Sequence, residues 1–391
     1  MTSLATTSAP RRLTILGSTG SVGRNTVDLI SRNREVYPVE ALTARGNVEL
    51  LIEQAHALKP SFVAIGEESR YAALKDGLSG TGIEVAAGEA ALVEAGARPA
   101  GWVMAAIVGS AGLEPTLAAV RRGAAVALAN KECLVCAGEL VLSEMRRAGA
   151  RLLPVDSEHN AIFQVFDFAR PETVERIILT GSGGPFRTWP LERMAKATPA
   201  EAVAHPTWTM GAKISVDSAT MMNKGLEIIE AHYLFGLESE RIEVLIQPQS
   251  VIHSMVAYVD GSVLAQLGSP DMRTPIAHTL AWPQRITTPA SRLDLAQLGQ
   301  LTFERPEPSR FPALRLAREA LQSGGAAPTI LNAANEVAVH AFLTGRIGFL
   351  EIARTVERTL EAVSGATPTS VAELRLIDCE ARSRATTFLG A

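Results

Sequence analysis

The chain has 391 residues, of which 47% are hydrophobic and 20% charged, a balance typical of a folded globular protein. Its net charge of −4 gives no general attraction to nucleic acid or to anionic membranes, so an anionic ligand must be met by locally placed donors. The most apolar stretch, residues 101–113, is too short to span a bilayer, which excludes a transmembrane protein. The segment at residues 1–12 is expected to be a frayed leader. Three cysteines are too few for a disulfide framework and indicate a cytoplasmic protein.

The first part of the chain predicts a nucleotide-binding domain. From residue 13 to about 153, short apolar runs alternate with amphipathic segments, which is typical of a parallel sheet covered by helices on both faces. The predicted strands are residues 13–16, 39–43, 62–65, 83–86, 103–108 and 125–129, and the predicted helices are residues 25–32, 48–58, 70–78 and 139–148. We therefore expect an α/β fold with an N-terminal Rossmann-like doubly wound parallel sheet at residues 1–153.

The pattern changes after residue 151. Predicted strands at 151–155, 176–179, 243–246 and 263–267 are separated by long polar and Gly-rich segments, and such segments are usually functional. They indicate a central α+β catalytic domain at residues 154–285. A proline-rich stretch predicts a linker at 286–312, and four helical patterns at 313–322, 329–343, 350–363 and 370–384 predict a C-terminal helical bundle at 313–391.

The motif GSTGSVG at residues 17–23 follows the first predicted strand and precedes a helical run. Glycines there let the backbone approach a pyrophosphate, and the helix N-terminus offers free amides and a partial positive charge. The spacing G-x-x-G-x-x-G is a variant of the standard dinucleotide motif, and a tight turn without a ligand is the alternative. At the end of the second strand, Arg45 stands where an NAD-binding protein would carry a carboxylate, which favours NADP because guanidinium pairs with a 2′-phosphate. A solvated surface arginine is the alternative there.

Three carboxylates suggest a metal site. Asp156 and Glu158 are two residues apart at the end of an apolar strand, where both side chains would leave on one face, and Glu227 lies in a helical run. Such an oxygen-rich set suits Mg²⁺ or Mn²⁺, with Co²⁺ as a further candidate, and lacks the clustered His or Cys that zinc prefers. Spacing alone does not bring Glu227 to the pair, and a solvated loop pair is the ordinary alternative.

Two segments are rich in groups that bind phosphate. TGSGGPF at 180–186 is a loop with a hydroxyl and unhindered amides, and SVDSATMMNK at 215–224 supplies hydroxyls, an amide and the ammonium of Lys224. Each could also be a turn followed by a helix cap, with Ser218 or Thr220 as the N-cap. Between them, HPTWTMG at 205–211 has the composition of a lid over a bound substrate, expected at about 205–215, or of a loop packed on the core.

Together these motifs resemble the 1-deoxy-D-xylulose 5-phosphate reductoisomerase family. The resemblance rests on GSTGSVG, NKE at 130–132, LPVDSEHNA at 153–161, TGSGGPF, residues 205–227, PDMRTPIAHTLAWP at 270–283 and LNAANEVAV at 331–339. It implies rearrangement of 1-deoxy-D-xylulose 5-phosphate, a small phosphorylated sugar, and NADPH reduction to 2-C-methyl-D-erythritol 4-phosphate in the non-mevalonate isoprenoid route. It also implies a homodimer that is a target of the phosphonohydroxamate fosmidomycin.

The resemblance assigns roles to residues of this chain by motif. The metal ligands would be Asp156, Glu158 and Glu227, and the substrate contacts Ser157, Lys131 and His205. The phosphate would be held by Ser182, Ser218, Asn223 and Lys224. The NADPH contacts would be Thr19, Gly20, Ser21, Val22, Arg45, Gly46, Asn47, Asn130, Glu132 and Gly211, with Trp208 and Met210 in the lid and Met272 lining the cofactor side.

Two positions depart from the family pattern. The glycine after the second strand comes one place later here, at Gly46, and Cys133 stands where the family commonly has Ser. Cys133 and Cys136 form a C-x-x-C, which reads either as a redox pair or as two small apolar residues that open a helix. Two other functions remain open at this point: an NADP dehydrogenase of another phosphorylated aldehyde, and a non-catalytic NADP-binding sensor.

Overall fold

The structure, a computed structural model, describes residues 11–208 and 210–389. Most of the expected leader at 1–12 therefore lies outside the described residues. The described chain forms two compact units. The first consists of residues 11–133, 141–156 and 272–290, and the second of residues 134–140, 157–271 and 291–389 without Thr209. Among the described residues, no helix combines the length and the apolar composition needed to cross a membrane.

A seven-stranded, all-parallel sheet forms the centre of the first unit. Its strands are β1 Leu13–Leu16, β2 Val39–Ala44, β3 Phe62–Ile65, β4 Glu84–Ala87, β5 Trp102–Ala105, β6 Ala125–Leu128 and β7 Arg151–Pro154. Their order across the sheet is β4-β3-β2-β1-β5-β6-β7. Five of the seven strands are buried along their whole length, which explains why they read as continuous apolar runs.

Helices connect these strands. They are α1 Ser21–Ser31, α2 Val48–Leu58, α3 Tyr71–Gly77, α4 Glu89–Ala97, α5 Leu113–Arg121 and α6 Glu132–Ala148. The strand order reverses its direction of winding between β1 and β5, because the chain leaves β1 toward β2 on one side and returns to β5 on the other. In doubly wound sheets, ligands bind at the carboxyl ends of the strands at this switch point.

The second unit is built on a smaller, mixed sheet. Its elements begin with α7 Ser157–Val165, β8 Val174–Gly181, α8 Leu191–Met194, α9 Pro199–Val203, α10 Ala212–Thr220 and α11 Met222–Phe235. The strands β9 Ile242–Ile246, β10 Ile252–Tyr258 and β11 Val263–Leu267 follow. The sheet order is β11-β10-β8-β9, with β8 parallel to β9 and antiparallel to β10. Helix α10 ends and α11 begins at Met221, whose φ of 64° is rare for a residue other than glycine.

The remaining helices are α12 Arg273–Ala281, which belongs to the first unit, α13 Leu295–Leu298, α14 Ala313–Ser323, α15 Ala327–Leu343, α16 Glu351–Ala362 and α17 Val371–Leu389. One apolar core of the second unit joins its sheet to the C-terminal helices. In it Phe349 packs edge-on against Phe186 and against Phe342. The C-terminal helices therefore support the mixed sheet of their own unit by direct packing.

The predicted fold class is confirmed, with corrections to individual elements. The predicted strand at 151–155 is β7 and pairs with β6, so it belongs to the first sheet and not to the central region. Strand β10 and helices α4 and α5 were missed. Glu158 lies in the first turn of α7 and not on a strand, so the same-face argument for Asp156 and Glu158 was wrong. The division into four segments at 1–153, 154–285, 286–312 and 313–391 stays a prediction.

Candidate active site

The loop after β1 is held by hydrogen bonds to Thr43 and Gln54. The Ser18 N–H donates to Thr43 O at 2.7 Å, and the Gly17 N–H donates to Thr43 Oγ1 at 2.9 Å. Ser18 and Gln54 bond reciprocally, because Ser18 Oγ donates to Gln54 Oε1 at 2.6 Å and Gln54 Nε2 donates to Ser18 O at 3.0 Å. Thr43 and Gln54 anchor the loop, and no motif had indicated them. The only available signal was their position, Thr43 in β2 and Gln54 on the buried face of α2.

Helix α1 begins at this loop and is ready to receive an anion. Its N-cap, Gly20, makes no side-chain hydrogen bond, and the first turn contains no acidic residue. The N-terminal amides and the helix dipole are therefore available to a pyrophosphate. A Cβ on Gly17 would lie 2.7 Å from Ala106 O, so the loop lies against the end of β5, at the switch point of the sheet. Thr19, Ser21 and Val22 belong to this same turn.

Other predicted cofactor residues lie at the ends of neighbouring strands. Asn130, at the end of β6, donates from Nδ2 to Gly109 O at 2.8 Å and to Ile107 O, and its Oδ1 accepts from the Cys133 N–H at 2.9 Å. Glu132 is the first residue of α6 and is buried. Asn130 thus ties the end of β5 to the start of α6, which fixes the rim of the crevice.

Arg45 follows β2 with its side chain almost fully exposed, and its Nε lies 3.7 Å from Glu67 Oε1. This exposed guanidinium is available to a phosphate. Asn47 Oδ1 accepts from the Leu50 N–H at 3.1 Å and caps α2. The predicted contact of Asn47 with NADPH stays a prediction. Gly46 lies between the two, and a Cβ there would meet the Glu67 carboxylate.

In the second unit, Glu158 and Glu227 converge on one cation. Lys224 Nζ lies 3.2 Å from Glu158 Oε1 and 2.5 Å from Glu227 Oε2. Asn223 Nδ2 also donates to Glu227 Oε1 at 2.5 Å. Residues 223, 224 and 227 occupy one face of α11 because three- and four-residue spacings are neighbours on a helix. The fold thus brings together two glutamates that are 69 positions apart in the chain, which spacing could not predict.

The donor set fits a hard divalent cation. The Glu158 and Glu227 oxygens lie within 4.8 Å of each other, and an ammonium already occupies the position between them. Asp156, two residues before Glu158, is the last residue of its segment of the first unit, and its Oδ2 accepts from Lys131 Nζ of the same unit at 2.8 Å. Carboxylate oxygens that crowd this closely require cations, and several such oxygens are what Mg²⁺ and Mn²⁺ prefer. Ser157 Oγ donates to Glu158 Oε2 at 2.8 Å and orients that carboxylate.

A small cavity beside this cluster is lined by the residues that were predicted to hold a phosphate. Its walls are Gly181, Ser182, Gly183, Ser218, Met221, Asn223 and Lys224. Gly184 has a φ of 68°, and a Cβ there would lie 2.6 Å from Ser218 O, so the Gly-rich loop packs directly on α10. Ser218 and Thr220 both lie in the last turn of α10, and Thr220 Oγ1 accepts from the Met222 N–H at 3.2 Å. Neither residue is an N-cap, because Gly211 is the N-cap of α10 and Met221 that of α11.

His205 borders the same cavity through Ser182. Its Nδ1 accepts from the N–H groups of Thr207 at 3.1 Å and Trp208 at 2.9 Å, so the neutral ring carries its proton on Nε2. That nitrogen donates to Ser182 Oγ at 2.9 Å. Burial, and then the charge of Lys224, lower the pKa of His205, which keeps the ring neutral near pH 7.

The expected lid at 205–215 is described except for Thr209, which lies outside the described residues. Its second half is the start of α10, with Gly211 as N-cap, and not loop. The Trp208 ring lies 6.1 Å from the His253 ring. Met272 precedes α12 in the first unit.

A buried pair beneath the carboxylates was also missed. His159 Nδ1 lies 3.2 Å from Glu230 Oε2, and His159 Nε2 lies 3.0 Å from Glu227 O. Both side chains are almost completely buried. His159 follows Glu158 in the quoted LPVDSEHNA motif, and this adjacency was the available signal.

The two cysteines of the C-x-x-C are buried near the start of α6, and Cys379 is exposed. All three are free thiols. The burial of Cys133 and Cys136 agrees with two small apolar residues that open a helix.

Comparison with known proteins places all these motifs in one family. The family model described as 1-deoxy-D-xylulose 5-phosphate reductoisomerase matches residues 13–138, and its C-terminal domain model matches residues 152–235. A further model, the DXP reductoisomerase C-terminal domain, matches residues 267–384.

Relatives match over nearly the whole chain. The 1-deoxy-D-xylulose 5-phosphate reductoisomerase of Rhodospirillum centenum is 66% identical and covers 97% of this chain and 95% of its own length. A solved structure of the Zymomonas mobilis enzyme in complex with NADPH has a TM-score of 0.94 at 55% identity, and covers 98% of this chain and 100% of that one. Another, in complex with NADPH, fosmidomycin and magnesium, has a TM-score of 0.92 at 42% identity, and covers 97% of this chain and 98% of that one.

Proposed function

The chain belongs to the 1-deoxy-D-xylulose 5-phosphate reductoisomerase family, and we propose that it converts 1-deoxy-D-xylulose 5-phosphate with NADPH into 2-C-methyl-D-erythritol 4-phosphate, in the non-mevalonate route to isoprenoids. One observation carries the assignment of the site. Glu158 and Glu227 converge on the Lys224 ammonium at 3.2 and 2.5 Å, beside a cavity lined by Ser182, Ser218 and the same lysine. A carboxylate cluster beside an anion cavity suits a substrate with a phosphate at one end and adjacent oxygens at the other.

We assign Asp156, Glu158 and Glu227 as the ligands of a divalent metal ion, Mg²⁺ or Mn²⁺. Such an ion would polarise the carbonyl and the adjacent hydroxyl of the substrate and stabilise the charge that develops on them. Lys131 pairs with Asp156, and Lys224 pairs with both glutamates, so these carboxylates are balanced by positive charge. Ser157 orients Glu158 through its hydroxyl.

The phosphate of the substrate would occupy the cavity of Ser182, Ser218, Asn223 and Lys224. The Lys224 ammonium supplies the charge, and the hydroxyls, the amide and the Gly183 backbone supply hydrogen bonds. His205, neutral and with its proton on Nε2, fixes the Ser182 hydroxyl. Binding at this remote end orients the reacting carbons, which is how binding energy away from the chemistry lowers the barrier.

NADPH would bind at the glycine loop of the first unit. The α1 amides and the Thr19–Val22 turn receive the pyrophosphate, and Arg45 receives the 2′-phosphate.

The other two functions are not favoured. A semialdehyde dehydrogenase usually needs a reactive cysteine in its catalytic domain, whereas Cys133 and Cys136 are buried in a helix and Cys379 lies on α17. A non-catalytic sensor would have no use for the carboxylate cluster.

The test is the change Glu227→Gln. It keeps the shape of the side chain but removes the charge, so we expect turnover with 1-deoxy-D-xylulose 5-phosphate and Mn²⁺ to fall roughly 10³-fold or more. The measurements are NADPH consumption with and without Mn²⁺, and NADPH affinity by fluorescence, which should change less than about twofold. Glu319→Gln, on the surface of α14 in the same unit, is the control. Full activity of Glu227→Gln, with unchanged metal affinity, would show the metal assignment to be wrong.

We also propose that the chain acts as a cytoplasmic homodimer. Supporting this, β11 is an edge strand of the mixed sheet and leaves Val263 50% and Leu264 49% exposed, and such an edge favours pairing with a second copy. Leu264→Lys should shift the mass measured by sedimentation from a dimer toward the 41.5 kDa of one chain. Leu376→Lys, at a more exposed site on α17, should leave the mass unchanged. A monomeric wild type would refute the homodimer.

A further inference from the structure

The LNAANEVAV motif of α15 lies outside the proposed metal and phosphate sites, yet it contacts the helix that carries one of them. Asn335 is completely buried, and its Nδ2 donates to Asp217 Oδ1 at 2.8 Å. Asp217 immediately precedes Ser218, whose side chain lines the phosphate cavity. Both residues belong to the second unit.

Asp217 is a buried carboxylate with partners on both oxygens. Besides Asn335 on one oxygen, its Oδ2 forms an ion pair with Lys213 Nζ at 2.8 Å, one turn earlier on α10. The Asp217 side chain is only 2% exposed. A buried carboxylate is tolerated only when such partners satisfy it, so the fold favours the side-chain position of Asp217 in which both partners are engaged.

The backbone after Asp217 leads directly to the site. Thr220 Oγ1 donates to Asp217 O and accepts from the Met222 N–H, both at 3.2 Å, across the left-handed residue Met221. Helix α11 starts there and presents Asn223 and Lys224 to the cavity. Since Asp217 and Ser218 are adjacent on α10, a rotation of the helix that loosens one moves the other.

We propose that Asp217 and Asn335 are positioning residues for the phosphate pocket: their hydrogen bond sets the rotation of α10 and thereby places the Ser218 hydroxyl. The inference rests on the proposed function, in which Ser218 contacts the substrate phosphate. The proposal gives α15 a role in substrate affinity, although Asn335 is not among the residues that line the cavity.

The experiment compares Asn335→Asp with the exchange variant Asp217→Asn/Asn335→Asp in the full-length enzyme. The single change places two carboxylates face to face, so α10 should shift. We expect the KM for 1-deoxy-D-xylulose 5-phosphate to rise about tenfold, a difference of about 1.4 kcal/mol, and fosmidomycin inhibition to weaken similarly. The exchange restores one amide and one carboxylate and should recover most of the substrate affinity. In both variants the KM for NADPH and the Mn²⁺ concentration for half activation should change less than about twofold.

The chain offers a matched control, since Asn332 is also buried on α15 but its Nδ2 donates to Glu336 of the same helix at 3.2 Å. Asn332→Asp should leave the substrate KM unchanged. If Asn335→Asp does not fold, Asn335→Ser is the second variant. It removes the amide donor without adding a charge and should raise the substrate KM by a smaller factor. An unchanged substrate KM in the folded variants, or a general loss that the exchange does not rescue, overturns the proposal.

The variant Ser218→Ala separates this inference from the proposed function. If Ser218→Ala raises the substrate KM and Asn335→Asp does not, the positioning role is wrong and the phosphate pocket stands. If Ser218→Ala itself leaves the substrate KM unchanged, the assignment of the pocket is wrong.

Discussion

The glycine loop of the first unit and the charged cluster of the second unit are held together by different parts of the chain. Around Ser18 the contacts are backbone amides and carbonyls fixed against Thr43 and Gln54. Around Lys224 they are side chains that project from two helices far apart in sequence. A backbone site is sensitive to shape, and a side-chain site to charge. The two should therefore respond to different substitutions.

The strongest test of this contrast is Gly23→Ala. A Cβ at Gly23 would lie 2.6 Å from Ser18 Cα, a distance that requires the loop to move, and the loop is pinned by Thr43. We expect NADPH affinity to fall at least about thirtyfold, or about 2 kcal/mol, although no charge changes. Titration of NADPH fluorescence measures it.

The control is Gly101→Ala in the same unit, where an added Cβ would have only Arg12 O within 4 Å, at 3.9 Å. NADPH affinity there should be preserved. If Gly23→Ala binds NADPH normally, the loop is not a shape-sensitive site and the contrast fails.

A smaller effect should be shared by both units. His278 in the first unit and His253 in the second each have a pKa lowered from 6.5 to about 4, chiefly by burial. In the unfolded chain each ring takes up its proton near pH 6.5, so the unfolded state binds more protons between about pH 6.5 and 4. Stability is therefore full above this window and is lost as the pH falls through it, by up to about 3 kcal/mol per histidine.

The measurement is the free energy of unfolding by urea at pH 7 and pH 5, for His278→Gln and His253→Gln. Each change should reduce the acid-induced loss of stability by a comparable amount. The control is His340→Gln, on the exposed side of α15, which should leave that loss unchanged. An acid-induced loss that neither substitution reduces would show that the buried histidines do not govern it, and that the units do not share this response.

The same contrast explains what the sequence could predict. The glycine loop could be placed from residues 13–23 alone, because a strand, a turn and a helix start are local features. The meeting of Glu158 with Glu227 could not, since it depends on the packing of α7 against distant parts of the second unit. The family resemblance supplied that assignment. Even so, the prediction that Asp156 and Glu158 leave one face of a strand end was wrong, because a helix begins at Ser157. The hydrogen bond between Asp217 and Asn335 had no signal in the sequence.

Met221 also fixes the separation of two residues of the proposed site. This single left-handed residue joins α10 to α11 without a loop, so Ser218 and Glu227 are nine positions apart on two directly connected helices. Under the proposed function, Ser218 contacts the substrate phosphate and Glu227 a metal ion at the reacting oxygens. The junction at Met221 would then set the distance between these two contacts, so that a sugar phosphate with one more or one fewer carbon would reach one contact and miss the other.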